Sequence, residues 1–372
     1  MAKIEGNIVS RVKQYRQQAN LSQSQLAELV GFKRQAIYDI ESGRYLPNTG
    51  VALRLARILG CRVEDLFSEK QGTESPSVIM ADKHLPPNTR VSVVKIRDRL
   101  IGYPVDGVFS LNEELRPADG VLEGGSDHVR LFGGESTIAK SILLMGCDPA
   151  FSLLAAHVSR SNPNLRMLCR FASSYAALDN LAAGKTHIAG THLHNRSGKE
   201  ANVMLARKKL AGTGGLVIGY SLMEEGFMVA PGNPIGIHSV ADLAETKIRL
   251  INREPGAALR LLLDEKLVET GIPTAAVSGY DHEVYTHNQG AWMVACGAAD
   301  TALGLRTIAS AYGLDFVPIA EARCDLVIPS DLIQNTNVQI ILDVIQSRGL
   351  RDEIAFLPGY SSNKTGNQIA EL

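Results

Sequence analysis

Apolar residues recur at helical spacing near the start of the chain. Ser22 and Gln25 are placed as the two halves of a capping box, which marks where a helix begins. Leu26, Leu29 and Val30 then fall on one face of that helix. The pattern predicts an amphipathic helix that starts directly after Ser22.

A second helix is predicted after a short turn. Gly31 interrupts the first helix, where a tight turn needs a positive φ. The next helix begins near Lys33 and directs Ile37 and Ile40 inward. It ends before Gly43, because glycine is favoured at the position that follows the C-terminus of a helix. A helix, a short glycine turn and a helix at this spacing predict a helix-turn-helix, whose second helix lies in the major groove of DNA.

The pattern changes three times along the chain. Residues 7–67 are predicted to form a compact all-helical unit, and the polar residues 68–77 a linker. Residues 78–137 alternate short β-like runs with glycine turns, which predicts a small β-rich connector. In residues 138–372, strands alternate with helices, which predicts an α/β domain with a largely parallel sheet.

The α/β segment supports this prediction element by element. The predicted strands are 141–147, 165–172, 186–192, 247–252 and 315–320. The predicted helices are 149–160, 173–184, 199–210, 255–270, 286–298 and 330–347. Several of the strands end in short polar or glycine-containing turns that start helices, and helix N-termini bind anions and polar ligands.

Composition narrows the class of protein. Of 372 residues, 45% are apolar and 21% charged, the balance of a soluble globular protein. The chain has neither the roughly 20-residue apolar run of a membrane helix nor a signal-peptide core at its start. Its five cysteines form no CxxC pair. We therefore expect a cytoplasmic protein with no membrane segment and no disulfide framework.

Charge is divided unevenly along the chain. Residues 1–70 contain 11 Lys and Arg against 7 Asp and Glu, a net charge of +4, whereas the remainder carries −5. A basic N-terminal segment on an acidic body predicts that only this segment meets nucleic acid.

Residues 8–67 resemble the lambda-repressor/Cro-type (XRE family) DNA-binding domain. The matching runs are SRVKQYR (10–16), LSQSQLAELVG (21–31), RQAIYDIESGR (34–44), Pro47 and LRLARILGCRVEDLF (53–67). The resemblance implies a set of groove-facing residues, namely Lys33, Arg34, Gln35, Tyr38 and Asp39. It also implies that Gln23 contacts phosphate or supports the reading residues, and that Arg44 holds phosphate.

The chemistry of these side chains suits base reading. Arg34 can pair with guanine and Gln35 with adenine. Asp39 departs from the neutral or basic residue that is more usual at this position in the family. Two roles stay open for it: accepting a hydrogen bond from cytosine, or pairing with Arg34 or Arg44. Outside this set, the family pairs the residues at Arg16 and Glu41 as a structural ion pair.

Residues 141–360 resemble the type 2 periplasmic-binding-protein fold, in particular the cytoplasmic PBP-like ligand-binding domain related to molybdate- and tungstate-binding proteins. The matching runs include GCDPAFSLL (146–154), ASSYAALDNLAAGKTHIAGTHLHN (172–195), INREPGAALRLLLDEKL (251–267) and VACGAADTALGL (294–305). The resemblance implies two lobes: lobe one at about 141–226 and 316–360, and lobe two at about 227–315.

The same resemblance implies a ligand-binding cleft between the lobes, where Arg253 or Arg260 would supply positive charge. The implied cleft residues are Asp148, Phe151, Ser173, Ser174, Thr191, His192, Asn252, Arg253, Gly256, Ala257, Arg260, His282, Thr286 and His287. This chain departs from the family at 256–260, where Gly-Ala-Ala-Leu-Arg lacks hydroxyl donors. Because of that departure, a bare tetrahedral oxyanion fits the predicted cleft less well. A pterin-like compound or a carboxylate compound remains an open alternative as the ligand.

Other chemistry has little support. The sequence contains no GxxxxGK[ST], GxSxG or HExxH motif, so we expect no enzyme activity, no cofactor and no metal site. The spacing of His192 and His194 is compatible with a transition-metal site, but hydrogen bonding to a ligand or a structural role fits these two residues better. Trp292 and the cysteines Cys147, Cys169 and Cys296 lie in apolar segments and are predicted to be buried.

Together these observations predict a multidomain transcriptional regulator: a helix-turn-helix head, a β-rich connector and a two-lobed sensor. Its expected partners are a double-stranded DNA operator, a small anion or polar metabolite and a second copy in a homodimer. Molybdate, tungstate or a compound related to the molybdenum cofactor is the favoured effector. Two alternatives remain: an enzyme that acts on a small molecule in the same cleft, and a constitutive DNA binder whose C-terminal domain only dimerises.

Overall fold

The computed structural model describes residues 8–69, 75–82, 85–105, 116–124, 127–133, 135–195, 200–245 and 248–372. They form two compact units, one within Met1–Ser75 and the other within Pro76–Leu372. Residue 7 and parts of the predicted linker 68–77 and connector 78–137 lie outside the described residues.

The first unit is helical, as predicted. Its described elements are β1 (Ile8–Ser10), α1 (Val12–Gln18), α2 (Gln23–Val30), α3 (Arg34–Glu41), α4 (Thr49–Leu59), α5 (Val63–Leu66) and β2 (Phe67–Glu69). The two short strands pair antiparallel and join the ends of the unit. Helical periodicity does not reveal such a pairing, because the two segments are far apart in the sequence.

Local signals place α2 and α3 where the sequence predicts them. The capping box of Ser22 and Gln25 is formed, and Gly31 ends α2 at a φ of +80°. Both helices then bury their apolar faces in one core, which includes Leu26 and Ile37. Burial of these side chains supplies most of the stability of so short a pair of helices.

The second unit begins with a small sheet. Its strands are β3 (Ile79–Met80), β4 (Arg90–Ile96), β5 (Arg99–Pro104), β6 (Gly120–Leu122) and β7 (Val129–Leu131), in the order β3-β5-β4-β6-β7. Strands β4 and β5 form an antiparallel hairpin, and Arg97 occupies its turn at a φ of +55°. The helix α6 (Glu135–Ala139) follows.

A larger sheet carries the rest of the chain. Its strands are β8 (Ser141–Gly146), β9 (Arg166–Phe171), β10 (Ile188–Thr191), β11 (Gly215–Val229), β12 (Leu250–Arg253), β13 (Glu283–Val284), β14 (Thr301–Leu305), β15 (Asp315–Pro329), β16 (Tyr360–Ser361) and β17 (Gln368–Glu371). The helices against it are α7 (Phe151–Ser161), α8 (Ser174–Ala182), α9 (Ala201–Lys209), α10 (Ala258–Thr270), α11 (His287–Ala295), α12 (Arg306–Ala311), α13 (Ser330–Ile333), α14 (Thr336–Gln346) and α15 (Arg348–Phe356).

The large sheet joins two lobes. Strands β8, β9 and β10 pair parallel in lobe one, whereas β12, β13 and β14 pair parallel in lobe two. The long strands β11 and β15 pair antiparallel with each other and extend through both lobes. The main path of the sheet runs β13-β12-β14-β11-β15-β10-β8-β9. The prediction of a largely parallel sheet was therefore wrong at its centre, where two antiparallel strands connect two parallel halves.

Several element predictions also need correction. Strands β11 and β14 were not predicted, and β15 continues nine residues past the predicted end at 320. The helix predicted over 330–347 is two helices, α13 and α14, because Asn335 caps a new helix. None of the helices in the described ranges is long and apolar enough to cross a membrane.

Candidate functional site

The outer face of α3 carries the predicted reading residues. Lys33, Arg34, Gln35 and Tyr38 are exposed, and Asp39 is half-buried. On the opposite side of the helix, Ile37 and Ile40 are buried in the core. The helix therefore holds a row of polar side chains in solvent on a fixed apolar base.

Contacts along this face fix some of its side chains. The Gln35 amide donates to Asp39 Oδ1 at 3.1 Å. Among the described residues, the Asp39 carboxylate is therefore paired with Gln35 and not with Arg34 or Arg44. The Arg44 guanidinium lies 5.5 Å from the centre of the Tyr38 ring. Arg34, at the first position of α3, is exposed.

The predicted ion pair behind α3 is confirmed. Arg16 Nε donates to Glu41 Oε1 at 2.5 Å, and the two side chains are only 10% and 4% exposed. Gln23 Nε2 donates to the second oxygen of the same carboxylate at 2.8 Å. Gln23 thus contacts α3 through Glu41, and its two suggested roles, phosphate contact and support of the reading residues, stay predictions.

The predicted cleft residues lie at the carboxyl ends of strands in both lobes. Eleven of the fourteen are buried, namely Asp148, Phe151, Ser174, Thr191, His192, Asn252, Arg253, Ala257, Arg260, Thr286 and His287. Ser173 and Gly256 are half-buried. His282 is exposed, in contrast to the other predicted cleft residues, and its backbone pairs with Gly279 and Asn252.

Two of the buried residues are fully engaged inside lobe one. Asp148 accepts from the Ala150 amide, the Tyr360 hydroxyl at 2.8 Å and the Ser221 hydroxyl at 2.6 Å. The centres of the Phe151 and Tyr220 rings lie 5.1 Å apart. The Phe151 ring also lies against the backbone of Gly190, where an added Cβ would come within 2.3 Å of it. Both residues shape the floor of lobe one.

Several other predicted residues also have local partners. Ser173 caps α8 and Thr286 caps α11 through their side-chain oxygens. Ser174 Oγ accepts from the His192 amide at 3.0 Å, and the Asn252 amide group donates to Tyr280 O at 3.0 Å. These side chains hold the loops that form the cleft.

A cluster of buried polar side chains lies where the lobes meet. His192 Nδ1 lies 3.3 Å from Cys147 Sγ, and His192 Nε2 lies 3.6 Å from Glu225 Oε1. The other oxygen of Glu225 accepts from His194 Nε2 at 2.5 Å. Glu225 is fully buried on β11, at the register shift where the strand passes from one lobe to the other. Glu225 is not among the predicted cleft residues, because its position depends on that crossing.

Three atoms in this region have no hydrogen-bond partner. Within the described part of the chain, they are Thr191 Oγ1, Glu225 Oε1 and His287 Nε2. An unpaired buried polar atom costs about 1–3 kcal/mol, so a protein rarely concentrates several of them without a ligand or water to pair them.

Burial keeps the imidazoles of His192 and His287 neutral. It lowers the pKa of His192, with Glu225 opposing the shift, and lowers the pKa of His287 well below its ordinary value, with Arg253 and His192 adding to the effect. Burial also raises the pKa of the Cys147 thiol well above its ordinary value. Near neutral pH His192 and His287 are therefore neutral, and the Cys147 thiol is protonated.

Both predicted cations of lobe two have acidic partners. Arg253 donates to the two oxygens of Glu254 at 3.0 and 3.1 Å. Arg260 Nη1 donates to Glu283 at 3.4 Å, and its Nε lies 3.6 Å from Asp264. Their positive charges are compensated before any ligand enters.

Cavities open on two sides of the cluster. One of about 340 Å³ is lined by residues of both lobes, including Cys147, Phe171 and His287. Another of about 420 Å³ lies beside His194 and is lined largely by α9 and α10. No group of three or more His, Cys, Asp or Glu side chains in the described ranges is arranged to hold a metal ion.

Comparison with known proteins gives two family matches. Residues 12–66 match the family described as helix-turn-helix, and residues 155–346 match the family described as PBP superfamily domain. A protein of Archaeoglobus fulgidus named as an uncharacterized HTH-type transcriptional regulator is 36% identical over 58 residues, which are 16% of this chain and 82% of that protein.

The α/β unit has relatives of its own. The uncharacterized protein YvgK of Bacillus subtilis is 29% identical over 232 residues, which are 62% of this chain and 74% of YvgK. Among solved structures, the sulfate-binding protein SubI of Mycobacterium tuberculosis is 14% identical with a TM-score of 0.42, covering 57% of this chain and 84% of SubI.

Proposed function

The chain belongs to the PBP superfamily domain family and carries a helix-turn-helix domain ahead of that domain, and on this premise we propose that it is a transcriptional regulator whose operator affinity is set by a small polar molecule bound between its lobes. The helix-turn-helix supplies the DNA contact. The two-lobed domain supplies the sensor, because a ligand that contacts both lobes stabilises their closed arrangement.

One observation carries the sensor assignment. Thr191 Oγ1, Glu225 Oε1 and His287 Nε2 are buried without partners where the two lobes meet. A ligand with hydrogen-bond donors and acceptors would pair these atoms and recover the free energy lost by burying them. Such a ligand would favour the closed cleft over the open one.

The charges in the cleft indicate the class of ligand. Arg253 and Arg260 are already paired with carboxylates, whereas Glu225 presents an unpaired oxygen. A bare oxyanion such as molybdate or tungstate would meet that carboxylate without a free cation to compensate. The arrangement favours a polar organic compound with N–H or O–H donors, such as a pterin-like compound related to the molybdenum cofactor.

The same cluster supports binding rather than catalysis. A Cys–His pair acts as a nucleophile only when the thiol loses its proton to the base. At Cys147 burial raises the pKa of the thiol, and at His192 it lowers the pKa of the imidazole. Both shifts oppose formation of the thiolate–imidazolium pair.

DNA binding by two copies completes the proposal. Helix-turn-helix proteins commonly bind as dimers, because their two-fold symmetry matches half-sites one helical turn apart. We expect this chain to bind its operator as a homodimer, with cleft closure changing the spacing of the two reading helices.

A thermal-shift panel on Thr191→Val tests the sensor assignment. The panel contains molybdate, tungstate, sulfate, phosphate and 6-hydroxymethylpterin. A ligand at one hundred times its dissociation constant stabilises the protein by about 2.7 kcal/mol. Thr191→Val should leave the ligand-free protein as stable as wild type or more so, because it removes an unpaired buried hydroxyl. We expect it to lose most of the ligand-induced stabilisation.

The exposed His282 provides a matched control for the cleft. His287→Gln should weaken ligand binding, whereas His282→Gln should not. Any stabilising compound is then added to the protein on DNA selected from a random pool. Equal stabilisation of wild type and both cleft variants, or an operator affinity unaffected by a stabilising compound, would contradict the proposal.

A further inference from the structure

The cavity of about 420 Å³ beside His194 is lined by one helix of each lobe. Its described lining residues include Met204 and Leu205 of α9 and Leu261 and Leu262 of α10. None of these described lining residues is among the fourteen predicted cleft residues, and none lines the cavity at Cys147. The cavity is therefore a separate place where a small molecule can contact both lobes.

The two helices are held by the cores of different lobes. Val203 of α9 is buried in one hydrophobic core with Leu143 of lobe one, and Leu263 of α10 is buried in another core with Leu250 of lobe two. A movement of one lobe against the other therefore changes the distance between α9 and α10. A molecule that contacts both helices is held fully only when the lobes are together, so it stabilises the closed arrangement.

The helix faces that line this cavity are unusually apolar. A helix on the surface of a soluble protein normally turns polar side chains away from its core. On α9, however, Met204 is 53% exposed, and its neighbour Leu205 is only half-buried. Leu261 of α10 is half-buried too, and Leu193 and Ala258 also line the cavity. Apolar side chains that remain accessible around a cavity are typical of a ligand site.

The volume of the cavity indicates the size of the ligand. An engineered apolar cavity of roughly 150 Å³ stays dry and binds benzene. The cavity of about 420 Å³ is nearly three times as large as that one. It therefore has room for a fused ring system of the size of naphthalene or somewhat larger.

The charged lining residues do not favour a charged ligand. Lys208 of α9 is exposed and Glu265 of α10 is half-buried, and their charges are opposite. His194 also lines the cavity, and its Nε2 donates to Glu225 at 2.5 Å. A charged ligand would lose hydration against the apolar walls. The described lining residues therefore favour a neutral molecule.

We propose that the cavity between α9 and α10 binds a neutral, mainly apolar molecule with a fused ring system, and that this molecule holds the two lobes together. The site goes beyond the proposed function, because it does not use the unpaired atoms of Thr191, Glu225 and His287. Only its effect on DNA rests on the proposed function, in which closure of the lobes sets operator affinity.

Titration calorimetry with naphthalene derivatives tests the site. The full chain is titrated near neutral pH with 2-acetylnaphthalene, 2-naphthoate and 2-naphthylmethylammonium, which share a ring system but are neutral, anionic and cationic. The neutral compound should bind roughly tenfold more tightly than either ion, because each ion gives up hydration against the apolar walls. Tighter binding of an ion, or failure of the neutral compound to bind, overturns the proposal.

Matched variants locate the binding. Ala201 is half-buried and lines the cavity at the start of α9, whereas Ala211 is exposed beyond the end of that helix. Ala201→Phe should fill the cavity and lose most of the binding of 2-acetylnaphthalene, and Ala211→Phe should bind it like wild type. Met204→Asn leaves the lobe cores intact and should weaken binding roughly fivefold, because it removes the apolar contact of one side chain. Val268→Asn, at an 81% exposed position on α10, should have no effect. Full binding by both Ala201→Phe and Met204→Asn overturns the proposal.

The effect on the lobes has a readout of its own. Cys147 is buried where the lobes meet, so bound 2-acetylnaphthalene should slow its alkylation by N-ethylmaleimide in wild type but not in Ala201→Phe. An unchanged rate in saturated wild type would contradict the bridging of the lobes. Slower alkylation with an unchanged operator affinity would support the site and contradict the regulatory role in the proposed function.

Discussion

The Arg253 guanidinium of lobe two lies over the Phe171 ring of lobe one, 5.4 Å from its centre. His287, also of lobe two, meets the same ring edge-on with centroids 6.4 Å apart. Arg253 is only 3% exposed. The lobes are therefore closed on each other, and opening the cleft would separate a buried cation–π contact that contributes about 2 kcal/mol when it is desolvated.

Weakening this contact should open the cleft and expose Cys147. Phe171→Leu removes the aromatic face but leaves Arg253 paired with Glu254. We expect alkylation of Cys147 by N-ethylmaleimide in the native protein to accelerate roughly tenfold, because a loss of about 1.4 kcal/mol from the closed state raises the open population by that factor. Mass spectrometry of the labelled peptides measures the rate at each cysteine.

The other cysteines provide controls within the same molecule. Cys296 is exposed and should react equally in both proteins, whereas Cys324 is buried in the core of lobe one and should stay protected. Parallel acceleration at Cys147 and Cys324 would indicate loss of the fold rather than opening. An unchanged rate at Cys147 would show that Phe171 does not hold the lobes together.

The sequence predicts the helices and strand ends well, because their signals are local. Caps, apolar periodicity and turn residues lie within a few positions of the elements that they define. Strand β11 escaped prediction because Gly219, Gly226 and the Glu224–Glu225 pair interrupt its apolar pattern. In the structure these acidic residues face different surroundings: Glu224 pairs with Arg306 near the surface, and Glu225 is buried in the cleft.

The burial predictions were wrong on α11, because this helix buries a different face from the one expected. Trp292 was expected in the core but is 50% exposed, because α11 buries Gly290, Ala291 and Val294 instead. Cys296, at the end of the same helix, is exposed as well, whereas Cys147 is buried and Cys169 half-buried.

Arg34 should determine sequence preference on DNA. It is exposed at the first turn of α3, where a guanidinium can form two hydrogen bonds to guanine. Arg34→Ala should reduce specific affinity by about 1–3 kcal/mol and relax the preference at one base pair. Selection from a random DNA pool gives the preference, and fluorescence anisotropy on the selected site gives the affinity.

Arg57 provides a matched control for Arg34. It is exposed on α4, outside the two helices of the motif, so Arg57→Ala removes the same charge without removing a reading residue. We expect Arg57→Ala to retain the base preference of wild type. If Arg34→Ala retained both affinity and preference, α3 would not be the reading helix.

The small sheet and lobe one share a buried histidine. His187 Nδ1 accepts from the Leu143 amide of β8 at 3.1 Å, and its Nε2 donates to Lys95 O of β4 at 3.1 Å. Burial lowers the pKa of His187 to about 4, and the hydrogen bond to Lys95 only partly opposes the shift. The folded protein therefore keeps this imidazole neutral where an unfolded chain, with an ordinary pKa of about 6.5, would protonate it.

This difference makes the junction sensitive to acid. Between pH 6.5 and pH 4 the unfolded chain binds a proton at His187 and the folded chain does not, so the free energy of unfolding falls as the pH falls. The loss accumulates to on the order of 3 kcal/mol at pH 4 and is absent above pH 6.5. His187→Gln should be less stable at pH 7.5 but should lose less stability on acidification. Urea unfolding at pH 7.5, 6, 5 and 4.5 measures this slope, with the exposed His238→Gln as control; identical slopes in wild type and His187→Gln would rule out His187 as the titrating group.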